Sequence, residues 1–266
     1  MSSPVFIDSE FPPRGSGIPG RHEAAPSTRW GHPWELGPNW DWRPGRVLLG
    51  SWQERLIGID DDRHVVTVAG NRAGKSSSVL VPNLRSYPGS VIVLDPKGEL
   101  AAATASARKS INDDVYVLDP FGETGIPTSA HNPFDELGHG NPAHIAADAA
   151  QVADALIIAN NKDPHWTDSA RNLIRGLILH LLSTTSAATL RQVRALLNGT
   201  PAELDELFTA MTESSAFDGI VANTGRSFLG KLEAGGRELQ GILSTAQEQT
   251  APLDDIAGVT DRSDFR

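Results

Sequence analysis

Gly70-Asn71-Arg72-Ala73-Gly74-Lys75-Ser76 sets a lysine and a hydroxyl directly behind a glycine-containing loop, an order of residue types suited to holding a polyphosphate. Backbone N–H groups from Asn71 to Ser76, with Ser77 beside them, would cradle phosphate oxygens. Lys75 would lie on the β and γ phosphates of ATP, and the Ser76 hydroxyl would ligate Mg2+. The spacing departs from G-x-x-x-x-G-K-[ST] at its first position, where Ala69 stands in place of glycine. A helix beginning near Ser76 would aim its positive end at the same anion. The plainer alternative is that Gly-Lys-Ser only turns the chain and caps a helix.

The elements that must position this loop flank it. His64 to Ala69 is an apolar, β-branched run that reads as a strand ending at the loop, and Ser90 to Asp95 reads as a second strand running into a carboxylate. In a parallel sheet both carboxyl ends lie on the ligand edge, so Asp95 is expected near the phosphates. Two roles are open to it: a carboxylate of the nucleotide site, or the start of the turn Asp95-Pro96-Lys97-Gly98-Glu99 into the next helix. That turn also mimics the D-x-x-G of GTPases. Asn161-Lys162-Asp163-Pro164 lacks the aspartate with which N-K-x-D reads guanine.

Composition excludes several other chemistries. The chain has 266 residues and no cysteine, so disulfides, thiolate zinc sites and cysteine nucleophiles are absent. His131, His139, His144, His165 and His180 show no metal-binding spacing, and no G-x-S-x-G elbow supports a serine hydrolase. A net charge of −10 opposes a broad basic face for nucleic acid, so any such contact must be local. No window reaches the roughly 18 apolar residues of a membrane span. The N-terminus lacks the pattern of a secretory signal, and the expected place is the cytoplasm.

Residues 1–45 are rich in proline and glycine and read as an irregular segment, with an extended tail over at least residues 1–28. Trp30, Trp34, Trp40, Trp42 and Trp52 crowd the stretch that follows; they either staple it onto the domain or offer a docking or base-stacking strip. Arg46 to Ile59 predicts a hairpin turning at Gly50-Ser51, and Asp60-Asp61-Asp62-Arg63 a polar turn. Further along, Pro142 to Ile158, Pro164 to Leu182, Thr189 to Leu197 and Pro201 to Met211 predict helices, the second with Leu173, Leu177 and Leu181 on one face. Thr224 to Gln249 reads as two helices hinged at Gly235-Gly236. Arg226, Lys231 and Arg237 are its cations for a substrate or a neighbour's phosphate, or else a solvated face. Trp166 is either a packing anchor or a functional handle.

A-G-N-R-A-G-K-S, V-P-N-L, P-G-S-V-I-V-L-D-P-K-G-E, V-Y-V-L-D-P-F, H-N-P-F-D-E-L, W-T-D-S-A-R, I-L-S-T-A and R-S-D-F follow one another in this order between residues 46 and 266. In that order they resemble the TraG-like coupling proteins of type IV secretion and conjugation. The resemblance implies an α/β fold, a RecA-like P-loop NTPase parallel sheet carrying an inserted all-helical subdomain. It divides the chain into the irregular segment 1–45, a nucleotide-binding core over 46–140, a helical segment over 141–222 with the inserted subdomain from about 160, and return helices over 223–266. It further implies ATP and Mg2+ as cofactors and a homo-hexameric ring with full-length motor subunits. The expected partners are single-stranded DNA or a relaxase-type protein substrate and the membrane components of the secretion channel, met at the inner face of the membrane. Members usually carry N-terminal membrane helices, and their catalytic Asp-Glu strand follows R-S-D-F; this sequence offers neither. Two other readings remain: a nucleotide-binding but inactive assembly or regulatory subunit, and a non-motor P-loop enzyme such as a small kinase.

Overall fold

The computed structural model describes residues 35–60, 64–111, 114–137, 141–159 and 164–265. The expected tail over residues 1–28, Trp30, Trp34, the turn residues Asp61 to Arg63, His139 and Asn161 to Asp163 lie outside the described residues. Two compact units divide the chain, residues 1–61 and residues 62–266.

In the first unit, β1 (Val47–Trp52) pairs antiparallel with β2 (Arg55–Ile59), Trp52 opposite Arg55. The expected turn at Gly50-Ser51 falls instead on Gln53 and Glu54, both at positive φ, which is the two-residue geometry that matches strand twist. Gly50 lies at an irregularity of the register after Leu48, so it bends the strand without reversing it. Asp41 bridges to Ile57, and Arg55 clamps Asp41 with a 3.0 Å hydrogen bond from Nε. Trp42 packs beside Gly58, where an added Cβ would come within 2.8 Å of the indole, and its Nε1 donates to the Arg46 carbonyl at 3.1 Å. Trp42 is therefore a staple within this unit. Trp40 and Trp52 stay exposed at 39% and 40%.

The second unit is helical. After a π-helical turn (Ser76–Leu80) come α1 (Val81–Ser86), α2 (Glu99–Ile111), α3 (Phe134–Leu137), α4 (Ile145–Leu156), α5 (Pro164–Thr184), α6 (Leu190–Leu197), α7 (Pro201–Thr212), α8 (Ile220–Glu233), α9 (Arg237–Thr250) and α10 (Leu253–Thr260). Helix α5 is the axis: Leu173, Ile174, Leu177, Ile178 and Leu179 are all buried, and α4, α6, α8 and α9 pack around it. The i, i+4 spacing of Leu173, Leu177 and Leu181 produces this buried face, as the sequence predicts. Thr189 with Gln192 and Thr200 with Glu203 form complete capping boxes at α6 and α7, which fix where those helices start. Gly235 and Gly236, at φ 99° and 68°, separate α8 from α9 at the expected hinge.

Two glycines let helices approach closely. A Cβ on Gly176 of α5 would lie 2.3 Å from Thr224 of α8, and one on Gly225 would lie 2.8 Å from the Phe208 carbonyl of α7. Phe208 and Phe228 seal the α7–α8 contact with ring centroids 5.8 Å apart.

The stretches expected as strands around the candidate phosphate loop take no regular secondary structure. Among the described residues the only sheet is the β1–β2 ladder; 64–69 and 90–94 join no other strand. Their apolar side chains face solvent, Val68 at 89% and Ile92 at 104% exposure. The parallel sheet is thus not formed by the described residues. A strand exists through its partner's hydrogen bonds, whereas a helix closes its bonds within itself.

Candidate functional site

The loop leaves Ala69 and turns through Arg72 at φ 59° and Gly74 at φ 83°, with the Ala73 amide donating to the Gly70 carbonyl at 3.3 Å. Only glycine takes the Gly74 conformation without cost, and a Cβ there would also come within 3.3 Å of the Ser77 and Ser78 hydroxyls. Behind it the Ser78 amide closes on the Gly74 carbonyl at 2.8 Å and starts the helix. The helix first winds wide, with the Val81 amide reaching back to the Ser76 carbonyl. Pro82 explains the widening: it has no N–H for the Ser78 carbonyl, and its ring would collide with that group in a tighter turn.

Four groups converge on the loop. The amides of Gly74 and Lys75 have no acceptor among the described residues, and neither has the exposed Ser76 hydroxyl. Lys75 folds back, its Nζ donating to the Ala69 and Gly70 carbonyls at 2.9 Å each. Asn71, Arg72, Ala73 and Ser77 are exposed on the same rim, and Ser77 Oγ donates to the Gly74 carbonyl at 3.1 Å. Two free amides, a hydroxyl and an ammonium within consecutive residues are donors and a metal ligand for a polyphosphate.

Asp95 does something specific here. Its Oδ2 accepts from the Leu100 and Ala101 amides at 2.7 and 2.9 Å, capping α2, and its carbonyl accepts from Gly98, which sits at φ 69°. No hydrogen bond joins Asp95 to the phosphate loop among the described residues. The turn-forming role that the sequence left open is the one with visible geometry. Arg108 of α2, buried without a carboxylate, donates to the carbonyls of Tyr87, Gly89 (2.8 Å) and Leu84 (3.5 Å), which ties α2 to the end of α1.

The Asp95 turn has a second copy along the chain. Val91-Ile92-Val93-Leu94-Asp95-Pro96-Lys97-Gly98-Glu99 recurs as Val115-Tyr116-Val117-Leu118-Asp119-Pro120-Phe121-Gly122-Glu123. Both copies lead, without helix or ladder, into a turn whose glycine has positive φ, 69° and 73°. In both, the aspartate carboxylate accepts from amides just past the glycine: Asp119 accepts from the Glu123 amide at 3.0 Å and from the Thr124 amide and hydroxyl at 2.8 and 2.6 Å. Those bonds, the Thr124 hydroxyl first, hold the Asp119 carboxyl below its usual range. The two turns touch, because a Cβ on Gly98 would lie 2.9 Å from the Thr124 methyl.

The far end of the chain closes onto the middle. The Asn132 amide donates to Ser263 Oγ at 3.0 Å, the Ala130 amide to Asp264 Oδ2 at 2.8 Å, and Phe265 stacks on Tyr116 and His131 with centroids 4.5 and 5.2 Å away. H-N-P-F and R-S-D-F, remote in sequence, form one joint.

Residues 32–266 match the family model described as "Type IV secretory system Conjugative DNA transfer". The chain belongs to this family. It is 30% identical over 238 residues to an Escherichia coli conjugal transfer protein TraG, covering 83% of this chain and 36% of that relative. It is 31% identical over 232 residues to the protein VirD4 of Rhizobium radiobacter, covering 83% of this chain and 32% of that one. A type IV secretion system-coupling protein VirD4 of Bartonella quintana is 26% identical over 187 residues. The chain spans about a third of the length of the TraG and VirD4 relatives. In this conjugative DNA transfer family member the matched region holds the phosphate loop, the twin turns and the whole helical body. Among the described residues no helix is long and apolar enough to cross a membrane, and no cluster of metal-ligating side chains occurs.

Proposed function

We propose that this chain carries the ATP-binding part of a type IV secretion coupling motor, with Gly70 to Ser77 as the phosphate cradle. The observation that supports it most is the loop itself: the Gly74 and Lys75 amides, without an acceptor among the described residues, an exposed Ser76 hydroxyl and the Lys75 ammonium sit within one turn of each other, in a chain of the conjugative DNA transfer family. On binding, the Lys75 ammonium exchanges the Ala69 and Gly70 carbonyls for the β and γ phosphates. The loop amides donate to the phosphate oxygens, and Ser76 supplies a hydroxyl ligand to the metal. Mg2+, when bound, neutralises charge on the nucleotide's terminal oxygens. Asp95 supports the site from the rim, fixing the head of α2 through its cap.

In the same reading, residues 64–69 and 90–95 become strands of a RecA-like parallel sheet once they are paired, and α5 to α7 lie in its inserted helical part. The exposed Val66, Val68, Ile92 and Leu94 support this, since they alternate as the buried face of a strand does. The motor would assemble as a ring and pass single-stranded DNA or a relaxase-type protein toward the membrane components of the channel.

Calorimetric titration with Mg-ATP tests the reading. The wild-type chain is expected to bind, and Lys75→Ala to weaken binding at least tenfold with its helical circular dichroism unchanged. Equal affinity in the variant would sink it. A Ser76→Ala variant that binds ATP equally well with Mg2+ and with EDTA would confirm the metal role of the hydroxyl.

A further inference from the structure

Arg108 of α2 is 6% exposed and has no carboxylate partner among the described residues. A buried charge is tolerated only where its donors are taken up. Here main-chain carbonyls take them: Nη1 donates to Tyr87 and, at 3.5 Å, to Leu84, and Nη2 donates to Gly89 at 2.8 Å.

Those carbonyls belong to two elements. Leu84 lies in the last turn of α1 and Tyr87 ends that helix, so the guanidinium stands at the negative end of its dipole. Gly89 opens the segment that runs to Asp95. Asp95 in turn accepts from the Leu100 and Ala101 amides, at the head of the helix that carries Arg108. Helix α2 is therefore a splint: its head holds Asp95, and about two turns further on Arg108 holds Tyr87 and Gly89. An ammonium would not replace the guanidinium, because it lacks the planar fork that spans three acceptors.

What the splint holds is joined to the phosphate loop. The π-helical turn from Ser76 and α1 run on without a break, with Lys75, Leu80 and Val81 all in helical conformation, so one rod links the loop to Tyr87. The tail of the rod lies on the order of 15 Å from the loop amides. Little else fixes its head: no residue from Ser76 to Ser86 is buried, and residues 64–69 in front of the loop join no strand among the described residues. The direction of the rod is thus set at its tail.

We infer that Arg108 is a positioning residue for the phosphate loop: by clamping the tail of α1 onto α2 it sets the aim of the Gly74 and Lys75 amides, without touching the ligand itself. The inference rests on the reading of Gly70 to Ser77 as an ATP cradle.

Calorimetric titration with Mg-ATP, paired with amide exchange of the free chain, tests it. Arg108→Lys, which keeps the charge but not the fork, is expected to weaken binding about fivefold, and Arg108→Met about tenfold or more. In both, the Leu84 to Tyr87 amides are expected to exchange faster while those of α5 keep their protection. Phe208→Ala, a truncation in the α7–α8 contact, is expected to bind Mg-ATP as the wild type does, which separates aim from stability. If Arg108→Met does not fold, Arg108→Lys carries the decision. Wild-type affinity in the Arg108 variants, unchanged exchange at Leu84 to Tyr87, or an equal loss of affinity in Phe208→Ala would overturn this inference alone. A wild type that binds no Mg-ATP would instead overturn the ATP reading, and this inference with it.

Discussion

The helical body from α4 to α10 and the stretch from His64 to Asp119 belong to the same unit, yet they treat apolar residues in opposite ways. In the body, Leu173, Ile178, Val193, Phe208 and Ile242 have no exposed surface, while Val68 and Ile92 of the stretch are almost wholly in solvent. The difference lies in how each backbone satisfies its hydrogen bonds. A helix closes them within its own segment and needs a partner only for its apolar stripe, which α5 supplies to its neighbours. A strand needs a partner for both. The loop between two such segments is nonetheless well defined, because its geometry comes from Gly74, Arg72 and the helix behind it rather than from a sheet. The candidate site thus lies on the part of the unit with the least packing around it.

The sharpest way to break this contrast is to truncate one apolar side chain in each region. Phe208→Ala is expected to cost about 3–5 kcal/mol in urea unfolding, since it removes a fully buried ring from the α7–α8 contact. Ile92→Ser is expected to change stability by less than about 0.5 kcal/mol and to reduce self-association in light scattering. Equal losses would mean that the stretch is packed as tightly as the body. Next in size, Gly225→Ala is expected to cost about 1–3 kcal/mol, because the new methyl meets the Phe208 carbonyl and the Thr212 amide, neither of which yields easily.

Smaller effects probe the stretch itself. Asp95→Ala removes two hydrogen bonds from the head of α2 and is expected to cost about 1 kcal/mol, seen as faster amide exchange at Leu100 and Ala101. Asp119 gives a pH signature. Its folded pKa is depressed, so its contribution is present above the unfolded value near 3.8 and is lost as pH falls through the lower folded value. Acid unfolding followed below about pH 4 should therefore flatten in Asp119→Asn relative to wild type. An unchanged acid limb would remove the carboxylate's role in the second turn.

The helices were legible because a period of 3.6 is a local property, and the α5 stripe, the two capping boxes and the Gly235-Gly236 hinge can all be read from neighbouring residues. Register was less so: the hairpin turned at Gln53-Glu54, since Gly50 could serve equally as a turn or a bend and only the pairing decides. The tight turn ahead of a helix could be read from Gly74-Lys75-Ser76, but the fold-back of Lys75 onto two carbonyls could not. Asp95 shows a further limit, because a carboxylate at a strand end has the same sequence signature whether it faces a ligand or caps a helix. Its role in the turn becomes readable only beside its twin, Asp119, where a similar motif recurs and the carboxylate again accepts from amides just past the glycine. The joint between H-N-P-F and R-S-D-F is a long-range contact that no local pattern announces.

Amide hydrogen exchange with and without Mg-ATP puts both halves of the contrast to one test. The amides of α5 and α9 are expected to be protected throughout, those of 64–69 and 90–94 to exchange quickly in the free chain, and those of Gly74 to Ser78 to gain protection when Mg-ATP is added to the wild type but not to Lys75→Ala. Protection of 64–69 equal to that of α5 in the free chain, or no change at Gly74 to Ser78 on adding Mg-ATP, would contradict the account.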